Sequence, residues 1–164
     1  MFHRLQRVAS KGLLFFVCII ILLVPSFTRA DSQPIYGDIL NKSVYDDGSY
    51  SLTTIQYDYS YENPNRFAKK GTKTTSYYSS NDILLWKVVL TGYYTYDGTT
   101  ASCTDASCSV TIYENSWSKK NSVSSYSGNT AYCTAVIVRK ILGITVDTRT
   151  INMSLTCDPN GVLS

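Results

Sequence analysis

From Thr150 to Cys157 polar and apolar residues alternate without a break, with Ile151, Met153, Leu155 and Cys157 on one side and Thr150, Asn152, Ser154 and Thr156 on the other. Successive side chains of an extended chain point to opposite faces, so this segment separates an oily face from a wet one only as a β-strand. Leu84, Trp86, Val88 and Leu90 repeat the pattern in the middle of the chain. Sustained apolar residues at helical spacing are absent beyond residue 30. Tyrosine, serine and threonine dominate there instead: all 14 tyrosines lie in that part, and Phe67 is its only phenylalanine. Such side chains favour strands and leave polar tips at the surface.

Further strand candidates are Tyr50–Tyr61, Thr72–Tyr78, Cys108–Glu114, Ser122–Tyr126, Thr130–Lys140 and Ile144–Thr148. Asp47-Gly48, Asn63-Pro64, Lys70-Gly71, Gly128-Asn129 and Gly143 punctuate them as turns. Short strands so divided predict an all-β chain, a two-sheet antiparallel sandwich that is immunoglobulin-like in the broad sense. Asp97-Gly98 is a two-residue hairpin signal. Taken as the turn, it pairs Tyr96 with Thr99, Tyr94 with Ala101 and Gly92 with Cys103, and Gly92 then leaves room for a sulfur bridge.

The first thirty residues read differently. Arg4, Arg7 and Lys11 precede an unbroken run of twelve apolar residues, Leu13 to Val24, which Pro25 ends, and Thr28-Arg29-Ala30 offers a cleavage site. This is the pattern of an export signal. A helix of that run rises about 18 Å, short of the roughly 30 Å hydrocarbon core, so no stable membrane anchor is expected after cleavage. The expected organisation is a signal peptide over 1–30, a loose arm over 31–43 and one sandwich domain over 44–164. Four of the fifteen basic residues and the single histidine, His3, lie in the first thirty, with no acid. The remainder holds eleven basic residues against twelve acidic ones and four of the five cysteines, which argues against nucleic-acid binding by net charge and against histidine chemistry.

Four cysteines in an exported chain predict two disulfides among Cys103, Cys108, Cys133 and Cys157, with three possible connectivities. Without histidine a metal site would have to be all-thiolate, so none is expected. Face parity leaves the pairing open. Cys103–Cys157 with Cys108–Cys133 is favoured because each bridge then ties strands distant in sequence.

The segments LLWKVVLTGYYTYDGTTASCTDASCSVTIYENSW and TVDTRTINMSLTCDPNGVLS resemble a group of small exported β-sandwich proteins of Gram-positive bacteria. These share W-x-V-x-L-x-G-x-x-x-Y-x-G-x-x-x-x-C and a terminal L-T-C-x-x-x-G-x-L-S. The resemblance runs from Gly71 to Ser164 and rests on Trp86, Gly92, Tyr96, Gly98, Cys103, Trp117, Gly143, Cys157 and Gly161. It implies an exported bacterial sandwich without an assigned activity, and it implies a Cys103–Cys157 bridge. An immunoglobulin domain proper matches less well, since Trp86 precedes all four cysteines.

Nucleophilic catalysis usually needs a base near neutral pH, and the exported part has no histidine to supply one. Asp46, Asp47, Asp97 and Asp158 sit in turn sequences with glycine or proline, and Asp58, Glu62, Asp82, Glu114 and Asp147 read as solvated strand ends, so no enzyme and no cofactor are expected. Tyr57, Tyr59 and Tyr61 recur at period two, and Tyr77-Tyr78 and Tyr93-Tyr94 are candidates to lie alongside. Such a row suits a surface glycan or protein partner. The apolar run Ile141-Leu142-Gly143-Ile144, flanked by Arg139 and Lys140, is a hairpin tip suited to a membrane or partner, with Leu142 at its centre. Arg66, Lys69, Lys70 and Lys73 read as a solvated basic face, and Asp158-Pro159-Asn160-Gly161 as a β-turn. The function expected is an exported, non-catalytic binding or structural module of the cell envelope or medium. The alternative is a secreted bacteriocin-like or toxin-like effector acting at membranes.

Overall fold

The structure, a computed structural model, describes residues 38–63 and 66–164. The expected signal segment, residues 31–37 of the arm and the Pro64 turn position lie outside them. Eight strands follow one another: β1 (Asp38–Val44), β2 (Tyr50–Asn63), β3 (Arg66–Tyr78), β4 (Leu84–Tyr96), β5 (Ala101–Ile112), β6 (Trp117–Ser127), β7 (Thr130–Ile141) and β8 (Ile144–Thr156). The first five form one antiparallel sheet in chain order and the last three form a second. The all-β architecture of two antiparallel sheets is therefore as the alternation predicts.

The core lies between the sheets. Trp86, Val88, Leu90 and Tyr94 of β4 face Ala131, Cys133, Ala135 and Ile137 of β7 and Met153 and Leu155 of β8, all buried. Removing a large apolar side chain from water contributes about 1.5–3 kcal/mol, and the period-two pattern delivers one every second residue. At one end Tyr77 stacks on Trp86 (centroids 4.9 Å apart), and Trp117 meets both rings edge-on. The Arg149 guanidinium closes this cluster, 4.6 Å from the Tyr45 ring centroid and hydrogen-bonded to Asp147 at 2.9 Å.

Several local expectations change. The arm gives way at Asp38 to β1, which pairs with β2 through a register shift between Ile39 and Asn41. Lys70-Gly71 is not a turn but lies inside β3, where Gly71 pairs with Gly92 of β4. These two glycines make a hollow on the inner face. A Cβ on Gly71 would lie 2.5 Å from Leu163 Cδ1, and one on Gly92 would lie 2.2 Å from the Tyr94 hydroxyl oxygen. The hollow is thus filled by a leucine from the C-terminal tail and a phenol ring. The tail itself is held by reciprocal backbone hydrogen bonds between Thr156 and Ser164.

The β4–β5 register also differs: Tyr96 pairs with Ala101, Tyr94 with Cys103 and Gly92 with Ala106. The Asp97 carboxylate accepts hydrogen bonds from the backbone N–H groups of Thr99 and Thr100, which makes the connection longer than two residues. A bulge between Asp105 and Cys103 then reverses the parity of β5. That reversal brings both Cys103 and Cys108 to the inner face despite their odd spacing. Ile144–Thr148 is the beginning of the long strand β8 rather than a separate element.

Candidate functional site

Cys108 on β5 and Cys133 on β7 form a disulfide, Cα to Cα 5.4 Å, that staples one sheet to the other. Cys103 and Cys157 are free thiols in this structure, both buried, so the second expected bridge is not formed here. Across β4–β5, Tyr94 rather than Gly92 stands opposite Cys103. The two thiols hydrogen-bond to backbone carbonyls nearby, Cys103 to Asp105 and Cys157 to Asp158. Their backbone N–H groups grip the β6–β7 turn, donating to Gly128 and Asn129 respectively. Burial pushes the Cys103 thiol up, and pushes Cys157 up to about 11 against the opposing pull of the Lys69 charge. Thiols held neutral in this way are poor nucleophiles.

The tyrosine row is partly assembled. Tyr57, Tyr59 and Tyr61 pair across β2–β3 with Gly71, Lys69 and Phe67, which in turn pair with Gly92, Tyr94 and Tyr96. Tyr57 is 46% exposed, and the Lys69 ammonium lies 4.4 Å from its ring centroid. Lys69 is buried and donates to the carbonyl of Gly161 in the C-terminal turn. Of Tyr59 and Tyr61 only the backbone is described. The tyrosines expected beside them are elsewhere. Tyr77 is buried at the far end of β3, Tyr78 stacks on Tyr50, and Tyr94 fills the glycine hollow, while the exposed Tyr93 has the opposite strand parity. Phe67 and Tyr96, stacked at 5.4 Å, take their place.

The basic cluster is divided likewise. Lys69 is buried, Lys70 is exposed, and Lys73 reaches over to donate to the Ser154 carbonyl of β8 at 2.9 Å, its pKa lowered by burial. The Asp158 to Gly161 segment is a turn in which the Asp158 carboxylate accepts from the N–H groups of Asn160 and Val162.

Two clefts have no counterpart in any local sequence signal. One, of about 300 Å³, opens between the inner face of β1–β3 and the edge of β8, lined by Leu40, Asn41, Thr53, Lys73, Thr75, Asn152, Met153 and Ser154. Amides and hydroxyls dominate it, with the Thr53 and Thr75 hydroxyls 3.0 Å apart. It belongs to the same face of β2 as Tyr57, four residues along the strand from Thr53, or about 13 Å. The inner face is open here because three strands cannot cover five.

The second cleft, also about 300 Å³, lies at the Tyr77 and Trp117 end and carries three carboxylates, Asp47, Glu114 and Asp147. Each accepts local hydrogen bonds: Asp47 from Ser49 N at 3.0 Å, Glu114 from Ser116 N at 3.1 Å, and Asp147 from Arg149 Nε at 2.9 Å. The Ser49 hydroxyl and N–H hold Asp47 below the usual carboxylate value, whereas a general acid needs a raised one. Among the described residues no group of three or more His, Cys, Asp or Glu is placed to hold a metal ion.

Leu142 stands at the opposite extreme from the core. It is 97% exposed at the β7–β8 turn, with φ +51°, beside Gly143 at φ +82°. Comparison with known proteins finds no matching family model, no matching curated protein and no matching solved structure.

Proposed function

We propose that the chain is an exported, non-catalytic binding module of the bacterial cell envelope or medium, directed there by residues 1–30, and that its ligand is a surface glycan. The observation that carries this reading is the uncovered inner face of β1–β3, where a cleft rich in amides and hydroxyls shares a strand face with the exposed ring of Tyr57. Sugar hydroxyls pair with groups such as Asn41, Thr53 and Asn152, and the apolar face of a sugar ring stacks on an aromatic ring. The Cys108–Cys133 staple suits an oxidising compartment.

The test is retention of the exported protein on cell-wall polysaccharide fractions and on a glycan array. Wild type is expected to be retained, and Tyr57→Ala and the Tyr57/Tyr59/Tyr61→Ala variant to lose at least about tenfold in affinity, the scale of a stacked ring plus its burial. No retention on any fraction, or equal retention by the variants, sinks the reading.

A further inference from the structure

We propose that the β7–β8 hairpin tip is a membrane-contact wedge that seats in the headgroup layer of an anionic lipid surface. This stands apart from the glycan reading, at the opposite end of the sheets and on different residues.

The tip is costly in two ways that the fold does not itself recover. Ile141, Leu142, Ile144 and Val146 are 48%, 97%, 69% and 52% exposed. Leu142 also takes the left-handed conformation, which in a two-residue hairpin turn belongs to asparagine, aspartate or glycine. An Asn-Gly pair would close the same turn without strain and without oil in water. Leucine at this position has value only when something apolar receives it.

Shape and charge identify the receiver. Pairing with β6 ends at Trp117, opposite Arg139, and the Lys140 N–H still donates to the Ser116 carbonyl, so Ile141, its partner Ile144 and the turn between them overhang the smaller sheet. Two residues at ~3.3 Å each give a projection of roughly 7 Å, within the depth at which peripheral anchors sit in the headgroup and acyl boundary. The four apolar side chains expose on the order of 500 Å², well under the roughly 800 Å² per partner of a stable protein complex, and on a convex wedge rather than a flat patch.

Cations surround the base. Lys119, Lys120, Arg139 and Lys140 are exposed on β6 and β7 behind the tip. Of the acids nearby, Asp147 is engaged by Arg149 and Glu114 by Ser116, with Asp47 across the cleft. With Arg149 and Asp147 paired to one another, four exposed cations stand against two carboxylates, a balance that suits anionic headgroups, each basic residue near such a surface contributing roughly fivefold in affinity.

The test uses protein exported into the medium and phosphatidylcholine vesicles with or without phosphatidylglycerol, scored by cosedimentation. Because the readout is the ratio between the two vesicles and its dependence on the tip, any contribution from residues 1–30 cancels. Wild type is expected to prefer the anionic vesicles. Leu142→Asn is expected to reduce that binding at least about tenfold, on the scale of one buried leucine, while leaving the thermal midpoint unchanged or higher. Ile144→Asn on the facing strand should weaken it likewise, and Lys140→Glu should weaken it on anionic vesicles alone. Equal binding by Leu142→Asn, or no preference for the anionic vesicles, overturns the proposal. So does self-association of wild type without lipid that Leu142→Asn abolishes, since the tip would then serve a second copy.

Discussion

Removing the inter-sheet staple is the sharpest test of how this sandwich is held. Cys108 and Cys133 are 25 residues apart and join β5 of the larger sheet to β7 of the smaller. In the chain-entropy picture, closing a loop of that length costs the unfolded chain about 12 cal/mol/K, or about 3.5 kcal/mol at 25 °C. Small domains have only about 5–15 kcal/mol in all, so the bridge holds a large share of the whole. The perturbation is the double variant Cys108→Ala/Cys133→Ala, which removes the link without leaving an odd thiol. Its packing cost is small because only two sulfur atoms are lost. Urea denaturation followed by tryptophan fluorescence reads Trp86 and Trp117, which pack against one another across the two sheets. With a slope of about 1.5–2 kcal/mol/M, the midpoint should fall by about 2 M. Reducing wild type with a thiol should lower the midpoint by at least as much, because it cuts the Cys108–Cys133 bridge. A loss below about 1 kcal/mol would show that the unfolded chain gains little freedom when the link is cut, and the entropic account would fail.

Two further outcomes follow from the core. Gly71→Ala places a methyl group against Leu163 and Leu155 and should cost about 1–3 kcal/mol by thermal denaturation, part of it recovered when Leu163→Ala is added; a neutral Gly71→Ala would mean that the C-terminal tail does not seat in the glycine hollow. Burial raises the Cys157 thiol from 9.0 to about 11 and raises the Tyr94 phenol above its usual 10, so the folded state holds protons that the unfolded chain releases. Stability is therefore full below about pH 9 and falls as pH rises through 9 to 11, which denaturation midpoints at about pH 8 and 10.5 will show, with a smaller fall in Cys157→Ala.

Strands whose two faces meet different surroundings were legible from period two alone, and β4 and β8 are the clearest. Where that period breaks, the local sequence no longer carries the structure, for identifiable reasons. β1 hides its pattern because a bulge at Leu40 interrupts it and nearly all of its residues are exposed. Gly71 looks like a turn residue because its real purpose, room for Leu163, comes from a segment 92 positions away. Asp97-Gly98 marks a reversal correctly but not its length, since the Asp97 side chain extends the connection by capping Thr99 and Thr100. The cleft joins Asn41, Thr53 and Asn152 from three strands, and no local signal links them. The tip at Leu142 needed no tertiary information, because a leucine beside glycine in a hairpin turn is conspicuous in the sequence itself.

The strand order has a consequence for how the chain reaches this state. Every hydrogen-bonded neighbour in both sheets is also a neighbour in sequence, so each hairpin closes a short loop at small entropic cost and each sheet can zip up as a local event. The one long-range step is the meeting of the two zipped sheets, for which Tyr113 to Ser116 serves as the hinge between β5 and β6. Cys108 and Cys133 come into reach only at that meeting. During oxidative folding the appearance of this bridge therefore clocks the docking of the sheets rather than their formation, and an oxidant added early finds two finished sheets with nothing yet to join.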